Sequence, residues 1–251
     1  MISLIPLERI PEVRAGDDLG QLIAAAAAGG DIGLVNEDVL VVTQKVVSKA
    51  EGRVVELNTV QPRPEAVEWA DRWGKDPRQV ELVLRESAEI VRMAEGGLII
   101  SRTRHGLVCA NAGVDVSNVG GGEAATLLPE DPDASARRIR DRLGELTGAR
   151  PAVIVSDTFG RPWRLGIVNV AIGVAGMEAL LDLRGTPDVQ GREMRSTVIA
   201  VADELSSSAD LAGGKVDQRP VVVVRGYSYV AAEPGPGASA LVMPREQDLF
   251  P

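Results

Sequence analysis

The segment Pro151–Met177, PAVIVSDTFGRPWRLGIVNVAIGVAGM, constrains this chain more than any other. An apolar run suited to a core breaks into a polar cluster and then resumes with small apolar residues. A Val- and Ile-rich strand that ends in Asp157, Thr158, Arg161 and Arg164 admits two explanations. The polar side chains either decorate a surface or line a site for polyphosphate and metal. Carboxylates at strand ends are held by a rigid sheet and projected into a crevice, a common way to fix a hard cation.

Asp115 occupies a comparable place, at the end of GLVCANAGVD, and each Asp is followed by a short polar residue, Asn118 and Thr158 respectively. Magnesium takes oxygen ligands, keeps several waters and is commonly completed by substrate phosphates. Two carboxylates, a hydroxyl and a triphosphate would suffice. Either Asp taken alone also fits a turn cap. Residues 38–47, DVLVVTQKVV, predict a β-branched strand, continued after SKAEG by RVVEL. Lys45, Lys49 and Arg53 at even spacing along it share one face and would supply charge to the same anion. Such basic residues also describe a solvated face. Arg161 and Arg164 flank Pro162-Trp163. Arginine forks grip phosphate or carboxylate bidentately, and the tryptophan either stacks on a ring or fills core.

Elsewhere the pattern predicts a helix over 17–28, capped by Asp and stopped by Gly29-Gly30, and one over 76–93 opened by Asp76 and Pro77. In the second, Val80, Val83, Leu84 and Val91 share a face. Residues 97–102 and 106–115 form a hairpin turning near His105-Gly106, 117–133 a loop, and 133–147 a helix stopped by Gly148. A strand over 152–156 precedes 166–181, expected as a helix or buried segment against a sheet. A polar hairpin, a strand running into a helix, a core strand at RPVVVVRGYSYV and a Pro/Gly-rich loop complete the chain. The fold class expected is mixed α/β of the α+β kind, with two intimately packed lobes and no internal repeat.

At 251 residues and 45% hydrophobic the chain can bury a sizeable core. No long apolar window and no signal-peptide pattern occur, so a cytoplasmic protein without membrane partners is expected. A net charge of −9 disfavours nucleic acid and requires any anion site to be locally basic. Cys109, the single cysteine, lies on an apolar strand and reads as a small buried hydrophobe. His105, the single histidine, reads as an exposed turn residue and argues against a histidine zinc site or a Ser-His-Asp triad. Neither G-x-x-x-x-G-K-[ST] nor a well-placed G-x-G-x-x-G is present, and VGGGEAA at 119–125 reads as a flexible loop. Residue chemistry alone thus reaches a metal–phosphate site of unfamiliar type.

The blocks IPLERIPEVRAGDDL, DVLVVTQKVVSKAEGR, NAGVDVSNV, VSDTFGRPWRLGIVNVAIGVAGM and VADELSSSADLAGGK occur in this order and closely resemble the coenzyme F420-0:L-glutamate ligase family over nearly all of the chain. The resemblance implies one ligase domain over 1–251, an intertwined homodimer, and a fold unlike P-loop or ATP-grasp ligases. It implies a GTP-dependent enzyme that joins L-glutamate to F420-0 through an acyl phosphate and then adds γ-linked glutamates, releasing GDP and phosphate. Mg²⁺ or Mn²⁺ is implied as cofactor, with K⁺ assisting. Nucleotide contacts carry over to Ile10, Pro11, Glu12, Val13, Gln44, Lys49 and Asn118, a first metal to Asp115 and Asp157, and a second to Thr158. Asp115, Asp157 and Lys49 are thereby the expected catalytic residues. Where archaeal relatives place a metal-contacting glutamine, this chain has Lys215, whose ammonium cannot ligate a cation but can touch phosphate. Lys45, Arg53, Arg161 and Arg164 are expected to bind substrate. Two other readings remain open at this point: an amide ligase acting on another carboxylate-bearing cofactor, and a nucleotide-binding regulator.

Overall fold

The computed structural model describes residues 1–116 and 123–248. Its strands are β1 Ser3–Pro6, β2 Val39–Thr43, β3 Val54–Glu56, β4 Ser87–Met93, β5 Ile99–Thr103 and β6 Val108–Ala110. They continue with β7 Ala124–Thr126, β8 Ala152–Arg161, β9 Arg164–Ala175, β10 Leu181–Asp182, β11 Val198–Ile199 and β12 Val221–Arg225. The helices are α1 Leu19–Gly29, α2 Gln44–Ala50, α3 Pro64–Trp73, α4 Pro77–Glu86, α5 Pro132–Thr147 and α6 Val201–Gly213. The class is α+β, as expected.

The principal sheet has the order β1-β12-β2-β8-β9, with β2 and β8 parallel and the other neighbours antiparallel. Its three central strands read VLVVT, AVIVS and VVVVR, continuous apolar runs rather than alternating ones, because both faces of the sheet are covered. Leu40, Val42, Val153, Val155, Val221 and Val223 enter one core with Ile23 of α1, Val47 of α2 and Leu143 of α5. The intervening Val39, Val41, Ile154, Val222 and Val224 enter the other with Leu205 and Ala209 of α6. Each fully buried aliphatic side chain contributes about 1.5–3 kcal/mol. A third apolar cluster joins Ala66, Ala70, Val80, Val83, Ile99 and Ala125 around α3, α4, β5 and β7.

The caps read from the sequence at Asp18, Asp76 and Gly148 are present, and Asp131 adds one the sequence reading did not name. Asp18 accepts from the Gln21 amide, Asp76 from Arg78 and Asp131 from Ala134, while Gly148 closes α5 in the left-handed region at φ 77°. The β5–β6 hairpin and the helix α6 also form, but β6 stops at Ala110 and β8 runs on to Arg161, so neither Asp115 nor Asp157 ends its strand as expected.

Several elements differ from expectation. The 38–47 strand stops at Thr43, and residues 44–50 form α2, whose buried Gln44, Val47 and Ser48 recur at helical spacing. The expected 76–93 helix ends at Glu86; Ser87 is extended, and SAEIVRM pairs with β5 as β4, leaving Val91 45% exposed instead of on a helix face. The small-residue segment expected over 166–181 as a helix or a buried segment begins as the edge strand β9, paired with β8 along almost its full length; no helix forms, while Ala171 to Ala175 are buried as the second reading had it. Its Gly173 permits α5 to lie close: a Cβ there would be 2.4 Å from the Pro132 carbonyl oxygen. The loop expected over 117–133 also contains β7, which pairs with β3; residues 117–122 lie outside the described residues.

Candidate active site at the ends of β2 and β8

The parallel pair β2–β8 ends at Thr43 opposite Ser156. At that edge the chain turns from β2 directly into α2, while β8 continues into Asp157 and Thr158. Open sheets offer ligand crevices beyond the carboxyl ends of parallel strands, and the charged residues gather at this one. Lys45 and Lys49 are one helical turn apart on α2, so they share a face for a helical reason and not the strand reason first expected. Asp115 is brought beside α2 by a two-way backbone bridge with Thr126, at 3.0 and 2.8 Å. Lys45 Nζ then lies 2.6 Å from Asp115 Oδ2, and Lys49 Nζ 2.5 Å from Glu12 Oε1.

Asp157 is the perturbed group of the site. Burial pushes its carboxyl up to about 6, and the negative charge of Asp115 adds to that; the Thr158 amide and the ammonium groups of Lys215 and Lys45 pull the other way. Its neighbour Thr158 faces α6, donating from Oγ1 to Asn169 Oδ1 at 2.8 Å and accepting from Lys215 Nζ. Asp115, Asp157, Lys45 and Lys215 therefore form one electrostatic group.

Beside it opens a cleft of about 750 Å³, lined by Ile10, Pro11, Glu12 and Val13, by Lys45 and Lys49, and by Lys215 to Pro220 in part. Ile10 to Val13, Lys49 and Lys215, separated widely in sequence, meet here. Val216, Gln218 and Arg219 also line this cleft and carried no motif in the sequence. A separate cleft of about 500 Å³ lies between α1, α2 and α5, where Glu51 accepts from Arg138, away from the strand ends.

Other expected site residues stand elsewhere. Gln44 is 4% exposed, its amide donating to Ser48 Oγ at 2.5 Å and the Leu127 carbonyl at 3.2 Å, so it braces α2 against the segment after β7. Arg53 donates to the Leu128 carbonyl and pairs with Glu86 at 2.8 Å, not on a face with Lys45 and Lys49. Arg161 and Arg164 pair across the β8–β9 turn. Asn118 lies outside the described residues. His105 is half-buried, not exposed, with Nε2 2.9 Å from the Pro129 carbonyl. Cys109 is buried as expected; burial, with the Asp157 charge close by, pushes its thiol up to about 12. Asn169 is the residue the sequence reading missed, and its signal was a lone amide inside an otherwise apolar run.

The donors suit a hard divalent ion at Asp115 and Asp157: both are oxygen ligands, and a cation would offset the desolvation of Asp157 and the charge of Asp115 that acts on it. Among the described residues no three His, Cys, Asp or Glu side chains cluster as a complete cage. An ion here thus needs further ligands from water or a bound phosphate. A second ion fits poorly, since Thr158 would be its lone ligand named by resemblance and an ammonium already sits on that oxygen.

The sequence model of the F420-0:Gamma-glutamyl ligase family matches residues 8–226. A relative from Methanothermobacter thermautotrophicus, named Coenzyme F420:L-glutamate ligase, is 48% identical over 250 residues, covering 99% of this chain and 98% of its own. Relatives of the same name from Methanopyrus kandleri and Methanocaldococcus jannaschii are 46% and 41% identical, each over 99% of this chain and 96% of their own. The chain belongs to the F420-0:gamma-glutamyl ligase family and is a ligase that forms carbon–nitrogen bonds.

Proposed function

We propose that the chain is a GTP-dependent ligase that joins L-glutamate to the carboxylate of coenzyme F420-0 and then extends the product by γ-linked glutamates, in the cytoplasm. The observation that carries the reading is the convergence of Lys45, Lys49 and Lys215 with Asp115 and Asp157 beside one cleft where the parallel pairing of β2 with β8 ends. Three anionic substrates need such a locally basic site in a chain of net charge −9. The choice of GTP, of Mg²⁺ or Mn²⁺, and of K⁺ as helper rests on the family resemblance.

In this reading Ile10 to Val13 and Val216 line the nucleotide's place, and Lys49 exchanges Glu12 for a phosphate oxygen. The γ-phosphoryl group passes from GTP to the F420-0 carboxylate, giving an acyl phosphate and GDP. The glutamate amine attacks its carbonyl carbon, the phosphate leaves, and the amine gives up its proton. Asp115 and Asp157 would hold a divalent ion, which supplies charge neutralisation at the phosphates. Lys45 holds the Asp115 carboxylate and Lys215 the Thr158 hydroxyl oxygen, and both neutralise charge on the transferring group. Arg161 and Arg164, at the turn of the β8–β9 hairpin, are proposed to meet the substrate's carboxylate or phosphodiester. That hairpin also exposes Trp163 at 81%, Leu165 at 99% and Ile167 at 61%, which supports a homodimer in which it is covered.

Incubation of the chain with F420-0, glutamate, GTP and Mg²⁺ is expected to give products heavier by whole glutamyl residues, with one phosphate released per residue added. GTP turnover on a different carboxylate only would move the assignment to another acceptor. Nucleotide binding with no turnover on any acceptor would make the chain a regulator.

A further inference from the structure

The hydroxyl proton of Thr158 is committed. Oγ1 donates across the β8–β9 pair to Asn169 Oδ1 at 2.8 Å, and Asn169 is 4% exposed. The amide cannot be turned over, because its Nδ2 donates at 3.2 Å to Asp210 of α6, a group that only accepts. Ser207 Oγ donates to the Asn169 carbonyl at 2.7 Å and ties the same helix to the same strand. With its one proton so held, Thr158 Oγ1 offers only lone pairs to the cleft. The group on those lone pairs is the Lys215 ammonium. Its approach is built into the backbone: α6 ends at Gly213, Gly214 turns at φ 70°, and a Cβ on Gly214 would lie 1.9 Å from Asp217 Oδ2.

We propose that Lys215 is a tethered cation that takes the place of a second divalent ion at Thr158, leaving one exchangeable ion per chain, at Asp115 and Asp157. The inference rests on the nucleotide-and-metal reading of the cleft given above. An ammonium has three N–H donors and no lone pair, so it bonds Thr158 and phosphate oxygens at once while blocking the oxygen an ion would need. Asn169 and Asp210 are positioning residues, keeping the hydroxyl proton turned away from the cleft.

The test is a count of bound Mn²⁺, read by electron paramagnetic resonance of the free ion, on the full chain saturated with a non-hydrolysable imido analogue of GTP. The wild type is expected to bind one ion per chain. Lys215→Gln, whose amide oxygen supplies a lone pair, is expected to bind two with an unchanged melting temperature, and Lys215→Arg one. Adding Asn169→Leu to Lys215→Gln lets the hydroxyl rotate and returns the count to one. Two ions in the wild type, or one in a folded Lys215→Gln, would overturn the inference. No ion in the wild type would remove the metal reading on which it rests.

Discussion

Asp157 sets the pH behaviour of the site. Its carboxyl, ordinarily near 3.8, is held up at about 6, so the folded chain binds this proton more tightly than the unfolded chain. The sign follows: the contribution to stability is complete below about 4 and is lost as pH rises through about 6. Asp157→Asn is expected to stabilise the metal-free chain at pH 8 by about 1–3 kcal/mol and to have little effect at pH 4. Urea unfolding at the two pH values checks this, and an equal effect at both would contradict it. Glu81 shows the opposite arrangement: burial opposes its charge, yet bonds from Arg63 and Arg85 hold its carboxyl down at about 2, so that its contribution is lost as pH falls. At the residue scale the sequence offered Asp115 and Asp157 as candidate carboxylates after apolar runs, while the role expected of Lys49 came from the family resemblance. Asn169 was not offered, because its role depends on a helix that reaches it only in the folded chain.

Elements were legible where a local signal is strong. The runs VLVVT, AVIVS and VVVVR are strands on any reading, Asp caps mark the starts of α1 and α4, and glycine stops the ends of α1 and α5. α2 was not legible, because a helix of 7 residues is marginal on its own and is held by Gln44 bonding Leu127 and Val47 entering the core. The junction between α4 and β4 was hidden because Val91 fits the helical period by coincidence. Glu86 fixes that junction, 8% exposed and accepting from Arg53 at 2.8 Å and Arg104 at 2.9 Å. Glu86→Leu would leave the Arg53 charge half-buried without this partner, and a loss of about 3 kcal/mol is expected in chemical denaturation. A loss under about 1 kcal/mol would show that the junction is held by other contacts.

At the scale of the molecule, pairing of the two acids is a product of topology. Asp115 follows the β6 strand of one sheet and Asp157 lies on β8 of another; contact of β6 with β8, the Thr126 bridge and Lys45 on α2 bring them into one group. No spacing rule in the sequence encodes that meeting; the order of family motifs did. The exposed apolar hairpin carries a prediction of the same scale. Sedimentation of the full chain is expected to show a dimer, and Trp163→Ser with Leu165→Ser a folded monomer. A variant that stays dimeric would place the interface elsewhere.

The most direct test of the central claim is the mass of F420-0 after incubation with glutamate, GTP and Mg²⁺, compared between the wild type and Asp115→Asn at pH 8. The account predicts glutamyl addition by the wild type and a fall of at least about a hundredfold in Asp115→Asn, with the melting temperature preserved. Addition by the variant at the wild-type rate would contradict it.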